Sequence, residues 1–184
     1  MEKICMEGCN RHYMRADFRE FCWDQVLLGK KRVEIWGAVP QLFIDHHGYQ
    51  DAEKMKWILD EHGLVCSAFT PKTYRYNLGS GDSQVRARSL SYFEECIKAA
   101  AVLGAGRMLI YVPAVIRDGD WERAEEIFAE NMECLAEYAA DYHISLAAGG
   151  SNAFAADLPE YRRLMEKIKN LSIFRQIYAA GMAW

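Results

Sequence analysis

Short apolar runs alternate with longer stretches of helical spacing along the whole chain, and that alternation leaves few folds open. The apolar runs are Lys3 to Cys9, Arg32 to Trp36, Leu64 to Phe69, Arg107 to Val112, His143 to Gly150 and Leu171 to Ala180. Gly37 and Pro40 stop the second, and Pro71 closes the third. Between them lie predicted helices. Asp17 to Leu28 carries Phe18, Phe21, Cys22 and Val26 on one side and ends at Gly29. Asp51 to His62 has Asp51 as its expected N-cap, Met55, Ile58 and Leu59 as its apolar side, and Gly63 as its stop. Ser83 to Leu103 shows the stripe Val85, Leu90, Phe93, Ile97 and Ala101, and Asp120 to Tyr142 shows Trp121, Ala124, Phe128, Leu135 and Ala139. A last helix is expected over Leu158 to Lys169, begun near Asp157 and Pro159. Six strands and five helices in strict alternation predict an α/β fold on a parallel sheet, covered on both faces. Its 184 residues suit one domain, 1–184. Pattern alone fits either a flavodoxin-like open sheet or part of a (β/α)8 barrel.

Several function classes drop out early. No Gly-rich phosphate fingerprint follows the first strand, and Gly79 and Gly81 lack the GxGxxG spacing, which argues against a nucleotide site. The chain holds 22 basic and 26 acidic residues, net −4, with no basic stripe, which argues against nucleic acid. No apolar stretch approaches the length of a membrane span. The first twenty residues include Glu2, Lys3, Glu7, Arg11, Arg15, Asp17 and Arg19, a charge pattern that argues against a secretory leader there. Six cysteines, at 5, 9, 22, 66, 96 and 134, lack the paired short spacings of a zinc site and fall largely in apolar segments. They read as reduced thiols of a cytoplasmic protein. The acids of the Asp120–Tyr142 helix read as a solvated outer face.

Local words then narrow the fold. "KICMEGCNRHYM" (3–14), "VEIWGAVPQLF" (33–43), "FTPKTYRYNL" (69–78) and "RARSLSYFEECIKAAAVLGAGRMLI" (86–110) occur in an order and spacing that resembles the xylose-isomerase-like sugar phosphate isomerase/epimerase superfamily. The flavour is that of the fructoselysine 3-epimerase and tagatose/psicose 3-epimerase branch. The resemblance implies a (β/α)8 TIM barrel of about 250 residues, here truncated after the sixth strand. It therefore implies a partial barrel with open edges at the first and sixth strands, covered by a second copy in a homo-oligomer, by a reorganised tail or by a domain swap.

The chemistry implied by the resemblance moves a proton beside a sugar carbonyl, with a divalent metal (Mn, Mg or Co) polarising the oxygens and carboxylates as acid and base. The family's ligands are a Glu ending the fifth strand, an Asp ending the sixth, a His after the seventh and a Glu after the eighth. Carried over, the Glu falls at Ala147 or Ala148, and the Asp near Tyr178. A substrate-binding His falls at Gly181, and the last two ligands lie beyond Trp184. Residues 142–156 contain no Asp or Glu. No metal cofactor and no catalytic residue are thus expected in this chain, and its partner is a small sugar or sugar phosphate. A non-catalytic sugar-binding or scaffold protein and a nonfunctional fragment are the alternatives.

Other candidates lie at the strand ends, where barrel sites form. Glu34 is either a structural carboxylate or an acceptor for a sugar hydroxyl. Trp36 either packs at the rim or stacks on a sugar face. His12 is a pocket or a surface histidine; Tyr74, Tyr76 and Asn77 are expected at the mouth; Tyr111 points to core or pocket. His46 and His47 are adjacent and poorly spaced for one ion. A Cys9–His12 nucleophile pair lacks a third group. His62 and His143 sit at helix C-termini, where a positive charge is favourable. No phosphate site stands out, Arg11 and Arg75 being the obvious cations.

Overall fold

A computed structural model describes residues 7–73, 75–112, 121–150 and 177–179, together with Arg163, Glu166 and Lys167. Its strands are β1 (Gly8–Cys9), β2 (Arg32–Gly37), β3 (Phe43–Asp45), β4 (Gly48–Gln50), β5 (Val65–Pro71), β6 (Arg107–Val112), β7 (Ser145–Gly150) and β8 (Ile177–Ala179). The long helices are α1 (Phe18–Leu27), α2 (Ala52–Glu61), α3 (Ser83–Leu103) and α4 (Trp121–Asp141), and a 3-10 turn covers Asn10–Tyr13.

Six strands form one sheet in the order β1-β2-β5-β6-β7-β8, and every neighbouring pair is parallel. Spatial order therefore equals chain order. A flavodoxin-like sheet reverses direction after its first unit, whereas a barrel adds each strand beside the last. The topology accordingly selects the partial barrel, a choice that periodicity left open.

The sheet's two faces differ as period-two alternation requires. On β2, Val33, Ile35 and Gly37 are buried while Glu34 and Trp36 are partly exposed. Val33 and Ile35 pack with Cys66 and Phe69 of β5, Met108 and Ile110 of β6 and the helices' apolar sides in one continuous core. A register shift keeps this in phase: Val33 pairs with Cys66 but Glu34 with Ala68, leaving Ser67 as the extra residue of a bulge. The Ser67 hydroxyl donates to the Val33 carbonyl at 3.0 Å and to the Glu7 carboxylate.

Several expectations are corrected. In α3, Phe93 and Ile97 are buried as expected, together with Ser89, Tyr92, Cys96 and Ala100, whereas Val85 is exposed and Leu90 and Ala101 only flank the buried residues. The Tyr92 hydroxyl donates to the Lys72 carbonyl at 2.7 Å. In α1, Gln25 is buried in place of Val26. Asp51 precedes α2 at φ 69° and makes no side-chain cap, whereas Asp17 caps α1 through Arg19 N–H and Asp82 caps α3 through Gln84 and Val85 N–H. Gly63 and Gly104 end α2 and α3 at φ 65° and 77°, a left-handed conformation that suits glycine. The acidic side of α4 is not all solvated. Arg163 lies 3.8 Å from the buried Glu125 and Lys167 lies 3.7 Å from Glu126.

The antiparallel β3–β4 hairpin between β2 and α2 was not expected from sequence. Its two short strands lack the apolar alternation that announces a hairpin. Lys3 to Glu7 and most of the two C-terminal predicted elements lie outside the described strands and helices or outside the described residues. Cys9, Cys22, Cys66, Cys96 and Cys134 are free thiols. Among the described residues no helix is long and apolar enough to cross a membrane.

Candidate functional site at the strand ends

The face of the sheet turned away from the helices is polar near its C-terminal end. Cys9 pairs with Glu34, Glu34 with Ala68, and Trp36 with Thr70, so these side chains form two adjacent rows. The buried Thr70 donates its hydroxyl to Glu34 Oε1 at 2.6 Å and fixes that carboxylate. Burial pushes the Cys9 thiol above its ordinary range, and the Glu34 charge adds to the shift. A protonated thiol is a poor nucleophile, and His12 is exposed on the 3-10 turn, so the Cys9–His12 pair does not form an activated nucleophile.

Asn10 holds the rim together. It is fully buried at the end of β1. Its Oδ1 accepts from Trp36 N–H at 2.6 Å, and its Nδ2 donates to the Trp36 carbonyl at 3.2 Å and to Gln41 Oε1 at 2.7 Å. Gln41 in turn donates to the Tyr13 and Ala16 carbonyls. This side-chain clamp replaces strand pairing where β1 has already ended. Sequence reading passed over Asn10 because nothing local distinguishes a structural asparagine from a loop one.

The remaining candidates separate. The Arg11 guanidinium lies 5.6 Å from the Trp36 ring centroid, a cation–π contact at the rim. Tyr76 stacks on Tyr92, with ring centroids 3.6 Å apart and 3° between planes, and lines a cavity of about 520 Å³ with Gly37, Ala38, Leu42 and His46. Asn77 is used by its own turn: Oδ1 accepts from Gly79 N–H at 2.9 Å, and its N–H donates to Ser89 Oγ at 2.9 Å. Tyr111 occupies a strand position opposite Gly149. Tyr74 lies outside the described residues. His62 holds the Ile58 carbonyl through Nδ1 at 2.8 Å, the structural role expected at a helix C-terminus. The rings of His46 and His47 lie 3.9 Å apart at the hairpin turn.

A family model described as the xylose isomerase-like TIM barrel matches residues 28–175. This chain belongs to the xylose isomerase-like TIM barrel family. Fructoselysine 3-epimerases of Shigella flexneri and Escherichia coli O157:H7 are each 30% identical to it, over 65% of this chain and 44% of the relative. The chain thus spans less than half the length of these curated relatives. Among solved structures, 3-keto-D-glucoside 4-epimerase from E. coli superposes with a TM-score of 0.67 at 14% identity, covering 93% of this chain and 65% of that one. D-psicose 3-epimerase in the presence of D-fructose gives 0.67 at 16% identity, covering 94% and 62%. An AP endonuclease, family 2, from Brucella melitensis gives 0.69 at 16% identity, covering 93% and 65%. These structures share the fold.

The family resemblance calls for a divalent metal, so the donor set at its expected place can be tested. Ala147 of β7 pairs with Tyr178 of β8, and Ala148 with Ala179. These four side chains offer no carboxylate and no imidazole, and divalent metals of this kind need such donors. Among the described residues no group of three or more His, Cys, Asp or Glu side chains is placed to hold an ion. The residue types at these described positions are not donors that such a metal takes.

Proposed function

We propose that this chain is a sugar-binding, isomerase/epimerase-like protein whose own residues do not carry out the metal-dependent proton transfer implied by the family resemblance. One observation carries the reading: the β7–β8 register sets Ala147 beside Tyr178, where that chemistry needs two carboxylates. In this reading Glu34, held by Thr70, accepts a hydrogen bond from a sugar hydroxyl. Trp36 offers an aromatic face to the sugar's C–H side, in competition with Arg11. His12, exposed on the 3-10 turn that follows β1, lies next to Arg11 of that rim. A second copy of the chain is the partner of this reading, meeting the sheet at β1 or β8, its outer strands among the described residues.

Metal content of the pure protein, measured with its mass in solution, is the decisive experiment. The expected outcome is no bound Mn, Co or Mg, none taken up on addition, and a mass above that of one chain. Binding of fructose or tagatose, followed by calorimetry, should weaken about tenfold in Glu34→Gln. A tightly held metal ion in each chain would overturn the reading and call for a ketose epimerisation screen.

A further inference from the structure

The cavity beside β2 gathers positive charge from three separate segments. Lys72 follows β5, Arg75 lies in the next loop, and Arg88 comes from the N-terminal half of α3; all three line the same space. Asp45 is the one carboxylate among its lining residues, and that side chain already accepts from His47 N–H at 2.8 Å. Elsewhere on this chain Arg19 pairs with Glu61 and Arg32 with Glu7. Among the described residues neither Arg75 nor Arg88 is in an ion pair. A protein of net charge −4 that sets the Arg75 and Arg88 guanidiniums at one cavity, neither of them in an ion pair among the described residues, holds a local field suited to an anion.

The rest of the wall has matching chemistry. Tyr76 and Tyr92 form a stacked aromatic side, Leu42 and Phe43 an apolar one, and Gly37 and Ala38 continue directly from Trp36. About 520 Å³ is far more than a free anion fills and falls within the range of sites for small organic ligands. His46 also lines the space, and its Nδ1 is buried with no hydrogen-bond partner.

We propose that this cavity binds a phosphomonoester, with Arg75 and Arg88 gripping the phosphate, Lys72 adding charge, and the tyrosine pair facing the carbon skeleton of a phosphorylated sugar. Planar guanidiniums suit phosphate because two parallel N–H donors meet two oxygens. The sugar half of this inference rests on the proposed function above; the phosphate half does not. His46 reports on occupancy. Burial, then the charges of His47 and Arg88, hold its pKa below the ordinary value, and Asp45 acts in the opposite direction. A dianion beside Arg88 offsets that repulsion, so the His46 pKa rises when the site fills.

The test is calorimetric titration of the full chain with inorganic phosphate, fructose 6-phosphate and fructose, with histidine NMR as a second readout. His46→Gln identifies the His46 resonance. Fructose 6-phosphate is expected to bind at least about tenfold more tightly than phosphate, to weaken with salt, and to raise the His46 pKa. Arg75→Gln and Arg88→Gln should each weaken it by about tenfold or more, with Arg88→Lys recovering part of the loss. Both arginines are exposed, so unchanged urea midpoints are expected and exclude unfolding as the cause. No binding of either phosphate, or binding unaffected in the double variant, overturns the proposal. Equal affinity for phosphate and fructose 6-phosphate overturns its sugar half. Phosphate binding in a protein that ignores fructose and holds a metal leaves this site standing while the proposed function fails.

Discussion

Asn10 shows how much one side chain can decide at a strand end. Its amide meets both the N–H and the carbonyl of Trp36 and also reaches Gln41, all from a fully buried position. Asn10→Ala removes the side-chain partner of Trp36 N–H at a part-buried rim. The expected loss is about 1–3 kcal/mol in urea unfolding, the cost of an unsatisfied buried donor. Gln41→Ala should cost less, because Asn10 keeps both bonds to Trp36. Equal losses would show that the Asn10–Gln41 bond, and not the grip on Trp36, holds the rim. Sequence alone offered Glu34, Trp36 and His12 as the notable residues here. It could not offer Asn10, whose partners are 26 and 31 residues away.

At the scale of elements, β2 and β5 form the centre on which the site is built, and two tests bear on them. Gly37 ends β2 against the fully buried Phe69 ring, and a Cβ placed on it would overlap that ring. Gly37→Ala should therefore destabilise by about 1–3 kcal/mol through overpacking, read as a lower urea midpoint with an unchanged slope. A neutral result would mean that β2 can move away from β5. Glu7 ties the beginning of β1 to both strands, accepting from Arg32 Nε at 2.9 Å and from the Ser67 hydroxyl. Burial works to raise its pKa, but the bonds from Ser67 and Arg32 and the charges of Arg32 and Arg107 outweigh it and hold the carboxyl below its usual range. The folded state thus favours the ionised form. Its stabilisation is complete above the ordinary carboxylate value and is lost as pH falls through the lowered one. Native protein and Glu7→Gln should differ in urea midpoint near neutral pH and converge as pH falls below the lowered carboxyl value. A gap that persists in acid would assign the effect to packing instead of charge.

For the whole molecule, the core separates the thiols into two classes. Burial pushes Cys22 and Cys66 up to about 12 and raises Cys96 further, whereas Cys134 is exposed on α4. Thiolates are the reactive species, so iodoacetamide at neutral pH should label Cys134 in the folded protein and leave Cys22, Cys66 and Cys96 until urea is added. Peptide mass mapping checks this. Early labelling of Cys96 would show that α3 opens from the sheet. The same core shows how far the α3 stripe was legible in the sequence. Phe93 and Ile97 are buried as expected, Leu90 and Ala101 pack at the border of the core, and Val85 is exposed two residues after the helix begins, while Tyr92 and Cys96 join the core.

The sequence by itself determined the alternation of strand and helix and the segments of β2, β5, β6 and β7. Those follow from local chemistry: apolar runs and glycine stops. The words shared with the isomerase/epimerase family also pointed to the barrel. Tertiary structure decided the strand order that excludes a flavodoxin-like sheet, the bulge at Ser67, the Asn10 clamp and the β3–β4 hairpin. It also decided that Lys72, Arg75 and Arg88, with no common motif, face one cavity. Each of these depends on contacts between residues far apart in the chain, whose energies exist only once the sheet has formed.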